Sequence, residues 1–115
     1  MSKPKPGEVW LVRFPFTELA STKVRPALVL AVHGEDLIVM GIFSKLPPGL
    51  LRDTWVLIKE DDPVFQQSGL KKTSLLKAEK IAVVHESVFQ RKLGSLPPDT
   101  ILQAQVALKR ALLIP

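Results

Sequence analysis

GEVWLVRFPFTELASTKVRPALVL, residues 7–30, contains two strand-like runs joined by a polar loop. In EVWLVRF (8–14) apolar positions alternate, so Val9, Leu11 and Arg13 share one face while Trp10, Val12 and Phe14 share the other. Pro15 ends this strand or confines it to an edge, because proline donates nothing to a sheet ladder. The basic approach STKV then meets Arg25-Pro26, and PALVLAV (26–32) follows as an almost uninterrupted apolar run, the pattern of a buried strand. Pro26 fixes its own φ and biases Arg25 towards extended backbone. A permanently charged, planar fork of donors therefore stands on a restrained backbone at the mouth of a strand. Such a fork suits phosphate, although a solvated cation ahead of a strand shows the same local pattern.

Outward from this stretch the chain reads as β-rich first and helical last. Gly34-Glu35-Asp36 predicts a tight hairpin turn into LIVMGIF (37–43). Pro47-Pro48-Gly49 marks a loop, and TWVLIK (54–59) is the next strand. DDPVFQQSGL (61–70) reads as a connection holding one helical turn, and SLLKAEKIAVV (74–84) as one bent strand or two short ones. A short helix is expected over Glu86–Leu93, terminated by Gly94. After Pro97-Pro98, Asp99 or Thr100 can cap a second helix with Ile101, Ala104, Gln105, Leu108 and Leu112 at helical spacing. Lys109 and Arg110 near its end complement the helix dipole. The predicted class is mainly β (α+β): a small, strongly bent sheet or barrel with short helices and a C-terminal helix attached.

The bulk numbers fit one domain over residues 1–115, with 1–6 expected as a flexible N-terminus. Hydrophobic residues at 46% and charged ones at 23% describe a globular chain and not a disordered one. The absence of cysteine removes disulfides, zinc–thiolate sites and thiol nucleophiles, and suits a reducing cytosol, so a cytoplasmic location is expected. Basic, proline-rich MSKPKPGEVW lacks the apolar core of a secretory signal, and no run is long enough to suggest a membrane span. The formal charge of +5 tilts the partner class towards polyanions, nucleic acid first.

Familiar catalytic signatures are missing: there is no Walker loop, GxGxxG, HExxH or nucleophile elbow. His33 and His85 close two predicted strands and are read as surface or structural histidines, although such a pair could in principle cleave RNA by acid–base chemistry. Asp61-Asp62 beside Pro63 is read as a turn in preference to a metal site. Trp10, Trp55, Phe14 and Phe65 are read first as core.

Taken in order, GEVWLVRFPFTELASTKVRPALVL, GIFSKL (41–46), SGLKKTSLLKAEKIAVV (68–84), ESVFQRKLGSL (86–96) and the final DTILQAQVALKRALL resemble the MazF/PemK toxin family over nearly the whole chain. The resemblance implies an SH3-like β-barrel, a homodimer, a cognate antitoxin partner, and metal-independent cleavage of single-stranded RNA without a cofactor. It carries Arg25 over as the active-site arginine. The family hydroxyl is matched to Ser44: aligning Ile42 puts Phe43 at the threonine position, and a bulge or strand end at Gly41–Ser44 would restore the direction of Ser44. Glu18 is the acidic candidate upstream of the arginine. RNA grip is assigned to Lys23, Lys45, Arg52 and Lys72, with Phe16 and Trp55 as stacking surfaces. Two other readings stand beside this one. One is a catalytically silent barrel that binds RNA or protein. The other is a gyrase poison of the CcdB type, which the Arg-Pro segment disfavours.

Overall fold

The computed structural model describes residues 3–13 and 23–115. Its strands are β1 (Glu8–Arg13), β2 (Val24–His33), β3 (Asp36–Phe43), β4 (Trp55–Ile58), β5 (Ser74–His85) and β6 (Phe89–Ser95). Two helices accompany them, α1 (Val64–Ser68) and α2 (Pro98–Ala111). The strands form one six-stranded antiparallel sheet in the order β4-β5-β3-β2-β1-β6. Here the expected barrel is corrected: β4 and β6 are the two ends of the sheet, and it does not close.

β2 and β3 form the hairpin read from the sequence. His33 pairs with Asp36, and Gly34 takes the positive φ of 64° that a two-residue loop needs at its first position. β5 is one strand with a break in register. Met40 pairs with Ile81, but Ile42 pairs with Leu76, so the intervening residues of β5 bulge away from β3. Lys77 lies in that excursion and pairs with Trp55 of β4.

Both faces of the sheet are buried, which is why β2 and β3 read as nearly continuous apolar runs. One face carries Val9, Leu28, Met40, Ile42 and Leu76 beneath Ala104 and Ala107 of α2. The other carries Trp10, Val12, Ala27, Val29, Val39 and Phe43. The alternation predicted for β1 holds, with Val9 in the first cluster and Trp10 and Val12 in the second.

The expected helix over Glu86–Leu93 is the second correction. Only Glu86–Val88 form a 3₁₀ turn, capped by the His85 ring accepting from the Ser87 N–H, and β6 begins at Phe89. Local spacing favours a helix there, but β1 has a free edge, and pairing from Glu8↔Ser95 to Val12↔Phe89 satisfies it. Gly94 accordingly terminates nothing. It lies in β6, and a Cβ there would overlap the backbone of Gln67 and Ser68. α2 forms as expected, but its N-cap is Pro97 with no side-chain cap, not Asp99 or Thr100, and Pro98 occupies the first turn, where proline costs no hydrogen bond. Thr100, Ala104 and Ala107 are buried, while Gln105 and Leu112 are exposed. Among the described residues no helix is long and apolar enough to cross a membrane.

Candidate functional site

Arg25 is the second residue of β2, opposite Val12 of β1. Its guanidinium lies over the ring of Phe43, the last residue of β3, with Cζ 5.7 Å from the ring centroid. On the next strand Lys77 approaches the same ring, its Nζ 5.0 Å from the centroid, and stands 4.6 Å from the Trp55 ring. The Arg52 Cζ lies 5.1 Å from Trp55. The outcome is a ladder across four strands in which cations and rings alternate: Arg25, Phe43, Lys77, Trp55, Arg52.

Glu79 anchors the outer end. Its Oε1 accepts from Trp55 Nε1 at 2.7 Å, and its Oε2 accepts from an Arg52 guanidinium nitrogen at 2.8 Å and from Thr54 Oγ1 at 3.2 Å. Burial works against the charged carboxylate, yet hydrogen bonds from its own backbone and from Arg52, Trp55 and Thr54 outweigh it and hold the pKa below the ordinary 4.5. A carboxylate whose folded pKa is depressed contributes stability that is complete above the unfolded value and is lost as pH falls through the folded one. Tryptophan emission should therefore change as pH drops below 4.5 and the clamp on Trp55 is released, and Glu79→Gln should remove the Trp55 part of that change, leaving only what Trp10 reports from its own carboxylate, Glu8. An identical titration in the variant would remove Glu79 from this role.

The inner end is different. Among the described residues neither Arg25 nor Lys77 has a carboxylate partner. Cation–π contacts hold such groups by about 0.5–1 kcal/mol at exposed sites, whereas a charge-assisted hydrogen bond is worth roughly 1.5–3 kcal/mol. A phosphate entering here would outcompete the rings. Arg25, Phe43, Lys45, Pro47 and Lys77 line a groove of about 450 Å³ that has room for one.

The site residues read from sequence divide among several places. Arg25 and Lys45 share the groove, and Trp55 and Arg52 extend its ladder. Ser44 does not line it. Alternation at the end of β3 puts Phe43 beside Arg25 and sends Ser44 to a separate cleft of about 250 Å³, with Pro26, Lys72, Ser74 and Arg91. Lys72 belongs to that second cleft. Lys23 is exposed just before β2, while Phe16 and Glu18 lie outside the described residues, as does Phe14. Lys77 was not singled out from the sequence. Only the register of β5 against β4, set beyond the break, brings it between two rings.

The remaining candidates have structural surroundings. His33 and His85 flank Asp36 on adjacent strands, at the hairpin end of β2 and roughly 26 Å along that strand from Arg25. His85 contacts Glu35 at 3.2 Å and Ser87 at 2.9 Å. Asp62 accepts from the Val64 N–H at 3.0 Å, as a turn carboxylate does. Trp10 is core, with its indole N–H on Glu8 at 2.9 Å and its ring edge-on to Phe89, and Phe65 packs half-buried against the other cluster.

Comparison with known proteins adds a family and a set of structural neighbours. Residues 5–112 match the family described as PemK-like, MazF-like toxin of type II toxin–antitoxin systems. No curated protein matches. Among solved structures, an endoribonuclease bound to its cognate antitoxin from a mycobacterial species superposes with a TM-score of 0.74 at 21% identity, covering 97% of each chain. The Mycobacterium tuberculosis toxin MazF-mt6 superposes at 0.73 and 16% identity, covering 94% of this chain and 98% of the other. MazF from Deinococcus radiodurans gives 0.72 and 19%, over 97% and 98%. At these identities the likeness establishes a shared fold.

Proposed function

Because the chain belongs to the PemK-like, MazF-like toxin family of type II toxin–antitoxin systems, we propose that it is an endoribonuclease that cuts single-stranded RNA in the Arg25–Lys77 groove. The observation that carries this reading is the pair of cations flanking one ring with no carboxylate partner among the described residues. The reaction is intramolecular transesterification. The RNA 2′-oxygen forms a bond to the adjacent phosphorus, and the bond from phosphorus to the 5′-oxygen of the next nucleotide breaks. The 2′-OH proton passes to water, and the leaving 5′-oxygen takes one from water, so the products are a 2′,3′-cyclic phosphate and a 5′-OH.

The nucleophile is already tethered to its electrophile, so no metal is needed to bring the two together. What the reaction does need is stabilisation of charge on the non-bridging oxygens. The Arg25 fork and the Lys77 ammonium supply it from two sides. DNA lacks the 2′-OH and is spared. Lys45 and the Trp55 platform hold the flanking chain, the indole offering a π-face to any base. A homodimer and a cognate antitoxin as partner complete the proposal, and the neighbour solved with its antitoxin supports the latter.

Incubation with a mixed-sequence single-stranded RNA in EDTA should yield discrete fragments with cyclic-phosphate ends. Lys77→Ala should slow their formation by about 10²-fold, as loss of one charge-stabilising donor does. Phe43, standing beside Arg25 where the family resemblance places a hydroxyl, favours a second reading in which the same groove binds RNA without cutting it. Intact RNA that nevertheless co-migrates with the protein would support that reading and overturn the first.

A further inference from the structure

The cleft that receives Ser44 has no role in the chemistry above, and its composition is specific. Lys71, Lys72 and Arg91 stand around it, and among the described residues none that lines it is acidic and none of the three cations has an ion-pair partner. Between them lies an apolar floor that includes Leu11, Leu70 and Leu93. The Ser74 hydroxyl donates to the Lys72 carbonyl at 2.8 Å and so fixes the end of the loop that carries both lysines. Gly69, at the start of that loop, abuts the Leu93 backbone closely enough to exclude any side chain. The two lysines thus stand on a braced segment over the floor, and Arg91 joins them from β6.

Its position relative to the Arg25 groove is set by strand alternation. Arg25 lines one site and Pro26 the other; Phe43 lines one and Ser44 the other. The two sites are back to back across the ends of β2 and β3, separated by single peptide steps. A polymer held by its phosphate at Arg25 and turning over the strand ends arrives at Lys71, Lys72 and Arg91.

We propose that this cleft is a second RNA subsite, which takes a phosphate and the base of a nucleotide flanking the cut. The proposal rests on the reading of the Arg25 groove as an RNA site. Three cations, unpaired among the described residues, match the phosphate, the apolar floor matches a base face, and the Ser44 hydroxyl is a donor or acceptor at the rim. Ser44 acts here in substrate grip, not beside Arg25.

The test uses the intact protein and two non-cleavable 2′-O-methyl oligonucleotides, a dinucleotide and a nine-mer, with affinity measured at several salt concentrations. Lys72→Ala and Arg91→Ala should each weaken the nine-mer by about tenfold and reduce the magnitude of the slope of log affinity against log salt by about 0.7 per lost phosphate contact. Neither should change dinucleotide binding. Lys3→Ala, which removes an equal charge beside His85 at the opposite end of the sheet, should leave the slope intact. Equal losses for all three variants, or equal losses on both oligonucleotides, would overturn the subsite. So would an effect confined to binding of the cognate antitoxin, which would make the cleft a protein contact. If wild-type protein bound neither oligonucleotide, the underlying RNA reading would fail with it. If Arg25→Ala weakened both oligonucleotides while the cleft variants matched wild type, the subsite alone would fail.

Discussion

Arg25→Ala should reduce RNA cleavage by about 10²–10³-fold while leaving the fold intact. The two effects separate because the arginine contributes little to folding. It is half-buried at the start of β2, and its interaction with the Phe43 ring is worth about 0.5–1 kcal/mol. Loss of charge stabilisation in the transition state costs about 3–4 kcal/mol at the same position. Melting temperature and far-UV circular dichroism should therefore stay near wild type while product formation collapses. Arg25→Lys should recover only a part, since an ammonium keeps the charge but loses the planar fork that grips two phosphate oxygens together. Undiminished cleavage by Arg25→Ala would place the chemistry elsewhere.

The largest effect on stability is expected from a single methyl group. In Gly94→Ala the new Cβ would overlap the Gln67 carbonyl oxygen and the Ser68 backbone. Flexible side-chain ends can give way, but these are main-chain atoms at the end of α1. Either β6 leaves its pairing with β1 or α1 shifts, at a cost of about 3 kcal/mol, the upper part of the range for overpacking. Against a total stability of roughly 5–15 kcal/mol this is a large fraction, and the urea midpoint should fall by about 1.5 M. Gly69 faces the reciprocal constraint against the Leu93 carbonyl and in addition adopts φ 74° as the C-cap of α1. An unchanged midpoint for Gly94→Ala would mean that β6 and α1 do not meet as described.

The strands from β1 to β5 were legible because their signals are local: alternation in EVWLVR, the Arg-Pro start, the Gly34 turn, and proline at the loops. β6 was not, because the local spacing before Gly94 favours a helix and Phe89–Ser95 becomes a strand only against the edge of β1. Closure of the sheet is likewise a property of which strands lie at its ends, and local spacing cannot reveal it. The site divides in the same way. The backbone restraint on Arg25 is visible in the sequence, since Pro26 follows it, but its assignment to a site comes from the family resemblance and stays a proposal. Ser44 is the hydroxyl nearest the position that the family resemblance marks, and the alternation of β3 sends it to the other side of the sheet from Arg25. Lys77 could not be found at all without the break in register that brings it between Phe43 and Trp55. Family resemblance supplied the expectation of a barrel RNase; the structure redrew the groove around two cations and a ring.

On the proposed reaction, the groove cuts RNA by using the substrate's own 2′-OH. The direct measurement compares two oligonucleotides in EDTA, identical except for one 2′-deoxy residue immediately 5′ of the mapped cut. The all-ribose strand should be cleaved to a 2′,3′-cyclic phosphate and a 5′-OH, and the substituted strand should remain whole at that position. Cleavage of the deoxy-substituted strand at the same bond would contradict the account.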